Sequence, residues 1–408
     1  MGETDPVKRS TIIALAAVPV AIAGLYWLML HGFLELSVWL LALAVIAMLA
    51  GTAWEWRHGH RRWAALLAAG AVLTTASVGF YAWNLNAKLG NIPRANDSVL
   101  DVGERPDPPA EPTEALNILL MGADNPTQLV EKPTIAELLA EDGWTPGFYR
   151  SDTVIVVHIP ADRSGAYLVS VPRDSYVRIY DAQGRPQGKN KINEAFAAYG
   201  PFGTWRTVEN LTGFRLDHMG IIDYAGFRDL TTAIDGVDVY IPKDVYDSKL
   251  DQQWTEGTVH LEDQLALNYV RMRYGLLNGD FDRVARQQNF LRAVMRKVLA
   301  DGTVGNPLKF TDTVESITRN LTIDEGWSNG ELRSLALSMR GLQGKQGEKK
   351  VRFVTLPFDR YDTIDGLSVN IIDVERSREL WRAVRDDRLS AYLEDNPEDE
   401  LAEPRQVS

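Results

Sequence analysis

Cysteine is absent from all 408 residues, and histidine occurs only six times. Without cysteine there is no disulfide scaffold, thiolate zinc site, iron–sulfur cluster or cysteine nucleophile. The histidines, at 31, 58, 60, 158, 218 and 260, show no zincin spacing. Basic residues are also short: 43 Lys and Arg face 55 Asp and Glu, giving a net charge of -12. That balance argues against general nucleic-acid binding, which relies on Lys and Arg to displace counterions. Long stretches without any charge are present instead. At 45% hydrophobic and 24% charged, the chain is too apolar for a disordered polymer, and its length suits two or three domains of roughly 150 residues.

Three runs in the N-terminal quarter carry no charge: residues 11–30, 37–54 and 63–87. Each approaches or exceeds the ~20 residues a helix needs to cross the hydrocarbon core. Three in succession exceed any signal peptide. Trp27, Trp39, Trp54, Trp56 and Trp63 lie near the run ends, where amphipathic rings favour the interface. Lys8 and Arg9 precede the first run, Arg57, Arg61 and Arg62 separate the second from the third, and the first loop has neither Lys nor Arg. The positive-inside rule therefore puts the N-terminus in the cytoplasm and everything after about residue 88 outside. ATP-dependent and nucleic-acid chemistry are then excluded by location.

A Pro-rich, acidic stretch at 91–113 reads as a semi-extended spacer. Beyond it, residues 117–122 read as a buried strand, and 153–159 with 166–171 as a hairpin. Residues 192–199, 202–211 and 224–234 read as helices, and 219–223 and 237–241 as strands. Residues 281–299 give the clearest helix, with Val284, Leu291, Val294 and Val298 in one stripe. The mixture predicts an α/β domain with helices packed on a mixed sheet. Residues 125–149 form a long insertion, and the acidic stretch after Asp387 is expected to fray.

Short polar clusters fall at the ends of these strands: Asp124, Arg150-Ser-Asp152, Pro172-Arg-Asp174 and Lys189-Asn-Lys-Ile-Asn193. Arg271 and Arg273 would share a face if that segment were extended. Asp280, Arg283 and Gln287 share a face at the start of the helix, with Arg286 beside them. Between 271 and 297 seven bases meet two acids, an excess of five in an acidic chain. Fixed guanidinium forks suit phosphate oxygens, and carboxylates suit a hard divalent cation. Taken singly, each cluster could be a surface ion pair or a helix cap. Spacing alone supports an outward-facing domain with an anion-binding cleft.

Seven stretches, in order, resemble the LytR-CpsA-Psr family: NILLMGAD (117–124), RSDTVIVVHI (150–159), LVSVPRDSYVRI (168–179), KINEAFAAYG (191–200), DYAGFRDLTTAIDGVDVYIP (223–242), ALNYVRMRY (266–274) and DFDRVARQQNFLRAV (280–294). They span roughly 115–300. The resemblance implies an α/β sandwich around a mixed sheet, with an apolar tunnel for a polyprenyl chain. With the charge-free runs, the chain divides into a cytoplasmic tail (1–10), three transmembrane helices (11–88), a linker (89–114), an extracytoplasmic catalytic domain (115–387) and an acidic tail (388–408). Three spans, more than the single span of many family members, make this a multi-pass protein of the cell membrane. The resemblance also implies transfer of a glycopolymer phosphate from a polyprenyl pyrophosphate carrier to a peptidoglycan sugar hydroxyl, dependent on Mg2+ (or Mn2+). The expected partners are the carrier-linked glycopolymer, peptidoglycan and membrane lipid, with no nucleic acid.

By the same resemblance, Asp124 and Asp152 are the expected metal ligands. Arg150, Arg173, Arg271, Arg273, Arg283, Arg286, Gln287, Lys191 and Asn193 are expected to bind pyrophosphate. Arg150, Asp152, Asp280 and Arg283 are the expected catalytic group, with Asp280 ahead of Asp152 as the base. Val154, Val156, Leu168, Val169, Phe196, Phe227 and Phe290 are candidates for the lipid slot. Three features depart from the family: Asp263 stands where glycine is usual, residues 125–149 are inserted, and 275–279 form a variable spacer. The alternatives are a carrier pyrophosphatase or phosphatase, and a non-catalytic carrier-binding regulator.

Overall fold

The structure is a computed structural model, described over residues 34–108, 114–124, 135–140, 144–276, 279–299, 315, 321–338, 342 and 350–407. The described chain falls into two compact units, one around residues 34–90 and one from Asn91 onward. In the first, α1 (Leu34–Arg57) and α2 (Arg61–Gly90) form a helical hairpin. Two helices here, Trp39–Arg57 and Arg61–Gly90, are long and apolar enough to cross a membrane. Trp39, Ile46, Leu73 and Trp83 point outward, each more than half exposed. Glycine lets the pair pack: a Cβ on Gly51 would lie 3.1 Å from Leu67, and one on Gly70 would lie 3.2 Å from Met48. The first charge-free run, 11–30, lies outside the described residues, so two spans are seen where three are expected.

The second unit holds a seven-stranded mixed sheet, ordered β1-β12-β7-β2-β3-β4-β13. These strands are β1 (Arg94–Ala95), β2 (Leu116–Asp124), β3 (Arg150–Ile159), β4 (Ala166–Val171), β7 (His218–Asp223), β12 (Leu321–Asp324) and β13 (Val351–Thr355). β2 runs parallel to β7 and antiparallel to β3, so the carboxyl ends of β2 and β7 meet the start of β3 at one sheet end. Residues 154–159 are buried on both faces, which explains why β3 reads as a continuous apolar run. Val154, Val156, Met121, Met219 and Val169 face a core shared with α4 (Ile192–Thr212) and α9 (Val374–Arg385). α4 is kinked at Gly200 (φ 71°) and Pro201, so the two helices read from the sequence are one bent element. A Cβ on Gly200 would meet the Trp144 ring at 2.8 Å.

A second core gathers Val237, Val239, Leu261, Tyr269, Met272 and Phe290. It joins α5 (Tyr224–Ala233), α6 (Asp263–Arg271) and α7 (Asp280–Val298) to the ladder of β8 (Val237–Ile241) and β11 (Gly257–Leu261). β8 was legible as a strand but pairs outside the main sheet. The smaller ladders β9 (Val245–Asp247) with β10 (Gln252–Trp254), β5 (Tyr176–Tyr180) with β6 (Pro186–Lys191), and β14 (Phe358–Ile364) with β15 (Leu367–Ile372) complete the strands, and α8 (Asn329–Ser338) follows β12.

Four expectations change. The spacer is bound to the domain: β1 pairs with β12, and the buried Arg206 guanidinium donates to the carbonyls of Leu100 (3.0 Å) and Glu104 (3.3 Å). Proline content alone concealed this, because the anchoring charge comes from α4. The acidic C-terminal segment also packs: Leu389, Tyr392 and Leu393 of α10 (Leu389–Asp395) lie in the main core, and the Leu401 N–H donates to the Phe353 carbonyl at 2.8 Å. The insertion is partly structural, since Ile135 and Leu138 of α3 (Ile135–Ala140) and Tyr149 are core residues. Finally, the lipid-slot candidates divide. Val154, Val156, Val169 and Phe196 belong to the main core, whereas Phe290 lies in the second with Phe227 packed against it.

Candidate active site

The charged residues flagged from the sequence converge at the sheet end where β2 and β7 finish and β3 begins. Ligand sites in open α/β sheets favour this position. A β-bulge fixes one of them. Gly122 pairs with Thr153 and Ala123 with Ser151, so Asp152 is the extra residue and its carboxylate is re-aimed. Arg173 ion-pairs with Asp152 Oδ1, and the Tyr224 hydroxyl donates to Asp152 Oδ2 at 3.0 Å. Tyr224 opens α5 immediately after β7. Its ring lies under the Arg271 guanidinium, 4.6 Å from centroid to Cζ, while Arg271 Nη2 is 3.9 Å from Asp124 Oδ2. Burial and the two carboxylates raise the Tyr224 pKa, so the hydroxyl keeps its proton as a donor.

A second group adjoins the first. Arg283 pairs with Asp280 one turn back on α7. Asp174 lies 3.1 Å from Lys191 Nζ, 3.8 Å from Arg173 Nε and 3.9 Å from Arg273 Nη2. The Asn193 N–H donates to the Arg173 carbonyl at 3.2 Å, so the start of α4 steadies the Arg173 backbone. Four carboxylates and five cations thus surround one place.

Their protonation preferences diverge. Burial would raise the Asp152 carboxyl, but Arg173 and Arg283 outweigh burial and hold it below the usual range. Asp124 is raised by burial and by the Asp152 charge. Asp280 is raised by burial, against the pull of Arg283. Buried oxygens Asp124 Oδ1 and Asp280 Oδ2 have no hydrogen-bond partner among the described residues.

A divalent cation would relieve the first of these. Asp124 Oδ1 is an unused hard ligand next to a second carboxylate, which fits Mg2+. That ion usually takes one or two carboxylates plus phosphate and water. Among the described residues no group of three or more His, Asp or Glu is placed as a cage.

A sequence model of the LytR_cpsA_psr family matches residues 87–386. The chain belongs to the LytR-CpsA-Psr family. It is 32% identical over 294 residues to the cell wall biosynthesis protein LcpA of Corynebacterium glutamicum, a match covering 64% of this chain and 54% of LcpA. It is 29% identical over 237 residues to the polyisoprenyl-teichoic acid–peptidoglycan teichoic acid transferase TagU of Enterococcus faecalis, covering 57% of this chain and 73% of TagU. The crystal structure of B. subtilis TagV aligns with a TM-score of 0.53 at 25% identity, over 69% of this chain and 99% of that one. The chain spans about half the length of LcpA.

Of the residues carried over from the LytR-CpsA-Psr resemblance, Asp124, Asp152, Arg173, Lys191, Arg271, Arg273, Asp280 and Arg283 come together. Arg150 stands opposite Asp124 in the β2–β3 ladder with its side chain exposed at the rim. Gln287 donates to the Val270 carbonyl at 3.3 Å and ties α7 to the end of α6. Arg286 does not join the cluster. It is 1% exposed, 5.0 Å from the Tyr269 ring and against Met272 Sδ, so its helix turn aims it into the second core. Arg271 ends α6 and Met272 caps it, so the two arginines do not lie on a common strand face.

Asp263 holds φ 46°, a left-handed conformation that favours glycine, which accounts for the family preference there. Tyr224 escaped the sequence reading, although it was visible as a hydroxyl directly after a strand. Asp174 was flagged within the Pro172-Arg-Asp174 cluster but given no role.

Proposed function

We propose that this chain is a membrane-anchored phosphotransferase that moves a glycopolymer phosphate from a polyprenyl pyrophosphate carrier onto a peptidoglycan sugar hydroxyl. The single observation that carries the reading is the convergence of Arg173, Arg271, Arg273 and Arg283 with the carboxylates at one sheet end. The names of TagU and LcpA support it. We place three spans within residues 11–88, with the N-terminus cytoplasmic and the catalytic domain outside. The acidic balance and this location leave nucleic acid out of the partners.

The guanidiniums bind and orient the diphosphate, and their charge opposes the negative charge that builds on the bridging oxygen. Mg2+ held by Asp124 and Asp152 would supply further Lewis-acid charge beside the phosphate. The acceptor hydroxyl oxygen forms a bond to the glycan-bearing phosphorus. The bond to the other phosphate breaks, and polyprenyl phosphate leaves with the electron pair. The hydroxyl proton passes to Asp280. Its raised pKa and uncommitted Oδ2 suit a base, whereas both Asp152 oxygens already accept hydrogen bonds.

The test is a transfer assay with the purified full chain, a polyprenyl pyrophosphate saccharide, peptidoglycan and Mg2+. The expected product is a glycan phosphoester on peptidoglycan, with Asp280→Asn slower by ~100-fold or more. Release of inorganic phosphate alone would favour a pyrophosphatase. Carrier binding without turnover would favour a binding protein.

A further inference from the structure

A cavity of about 510 Å3 lies between the β5–β6 hairpin, α4, the β14–β15 hairpin and α9. It is lined by Arg178, Lys189 and Arg378, by Tyr176 and Trp381, and by aliphatic residues of β14 and β15, with no Asp or Glu in the lining. The cavity bordered by Arg292, Arg296 and Arg405, by contrast, includes Asp238 and Glu403. In a chain of net charge -12 a groove with three cations and no acid is a local inversion of charge. All three are exposed, and among the described residues none pairs with a carboxylate.

Exposed Lys and Arg are ordinarily solvated surface. Two further observations argue against that reading. Arg178 stands directly opposite Lys189 in the β5–β6 ladder. Like charges facing each other across antiparallel strands destabilise the pair, so packing gives no reason for the arrangement. Trp381, 3% exposed, also lines the cavity, and its buried indole N–H finds no acceptor among the described residues. Strand β6 links the groove to the site. Lys191 lies two residues beyond Lys189 on the same face of β6, opposite Tyr176, and its Nζ is 3.1 Å from Asp174. A row of cations leads from the phosphate cluster outward.

We propose that this groove receives the polyanionic glycan of the donor, with phosphodiester or carboxylate groups along the polymer meeting Arg178, Lys189 and Arg378, and Tyr176 offering a face to a sugar ring. The assignment to the donor rests on the proposed phosphotransferase function; the groove's preference for an anionic glycan does not.

The first experiment measures binding of soluble poly(glycerol phosphate) to the full chain in detergent, with neutral dextran as the comparison. Binding should weaken with salt. Arg178→Glu and Arg378→Glu should each weaken it by ~10-fold, while Arg388→Glu, an exposed charge outside the groove, leaves it unchanged. Arg178→Glu should also raise the melting temperature by about 1–3 °C, because it replaces a like-charge pair with an opposite one. Unchanged binding in Arg178→Glu, an equal loss in Arg388→Glu, or dextran bound as tightly would overturn the proposal.

The second experiment compares transfer from a carrier bearing an anionic polymer with transfer from one bearing a neutral disaccharide. Arg178→Glu should raise KM for the first about tenfold and leave the second alone. Equal effects on both would overturn the donor assignment. Absence of transfer in the unaltered chain would count against the phosphotransferase reading, and the binding experiment would still decide the groove.

Discussion

Burial and neighbouring charges shift the carboxyl groups of Asp152 and Asp124 in opposite directions. Arg173 and Arg283 hold Asp152 low, so its contribution to stability is fully present above the unfolded carboxylate pKa and lost as pH falls through the folded value. Asp152→Asn should therefore cost about 3 kcal/mol in chemical denaturation at pH 7, with the difference shrinking below about pH 4. Asp124 is raised, so ionising it costs stability at neutral pH, and that cost disappears as pH falls. Asp124→Asn should raise the melting temperature in EDTA and abolish any rise produced by Mg2+. A variant less stable than the parent in EDTA would contradict this assignment. Polar clusters at strand ends (Asp124, Arg150 to Asp152, Arg173) and at the start of α7 (Asp280, Arg283) were legible as an anion-binding surface, while their roles at one site were implied by the family resemblance. The electrostatic division between the aspartates was not, because it depends on which arginine faces which carboxylate. Arg286 misled for the same reason: its spacing fits the cluster, but its helix turn faces Tyr269.

At the scale of elements, β2, β3, β4 and α7 were legible from apolar runs and periodicity. The β5–β6 and β14–β15 hairpins were not, because β6 and β14 are mostly exposed and polar and carry no apolar run. The segment before β2 read as a spacer since its anchors are supplied from elsewhere: Arg206 donates to its carbonyls, and Arg105 reaches the buried Glu209 at 2.6 Å. Arg206→Ala should cost about 2–3 kcal/mol in denaturant unfolding and expose residues 98–105 to rapid amide exchange. At the start of α6, Asp263→Gly should add up to ~1 kcal/mol, because glycine adopts φ 46° without strain. A loss of stability there would show that the Arg228 contact, 3.7 Å away, matters more than the backbone.

At the scale of the molecule, the family and the α/β class were legible in the order of seven motifs, while the limits of the domain were not. The chain from 389 to 407 returns to the sheet and closes the main core with Leu389, Tyr392 and Leu393. Exposing three such side chains removes roughly 5–8 kcal/mol, comparable to the whole stability of many domains. A chain ending at Asp387 should lose cooperative unfolding, as read by circular dichroism. Acidic composition hid this because the buried residues form one short i, i+3, i+4 stripe within an acidic segment.

Arginines from the turn after β4, from the end of α6 and just beyond it, and from α7 are expected to surround one diphosphate. Native mass spectrometry of the detergent-solubilised full chain with a polyprenyl pyrophosphate saccharide tests it most directly. The expected result is a one-to-one complex that is lost in Arg173→Ala and Arg271→Ala and retained in Arg388→Ala. No complex with the unaltered chain, or equal retention in all three variants, would contradict it.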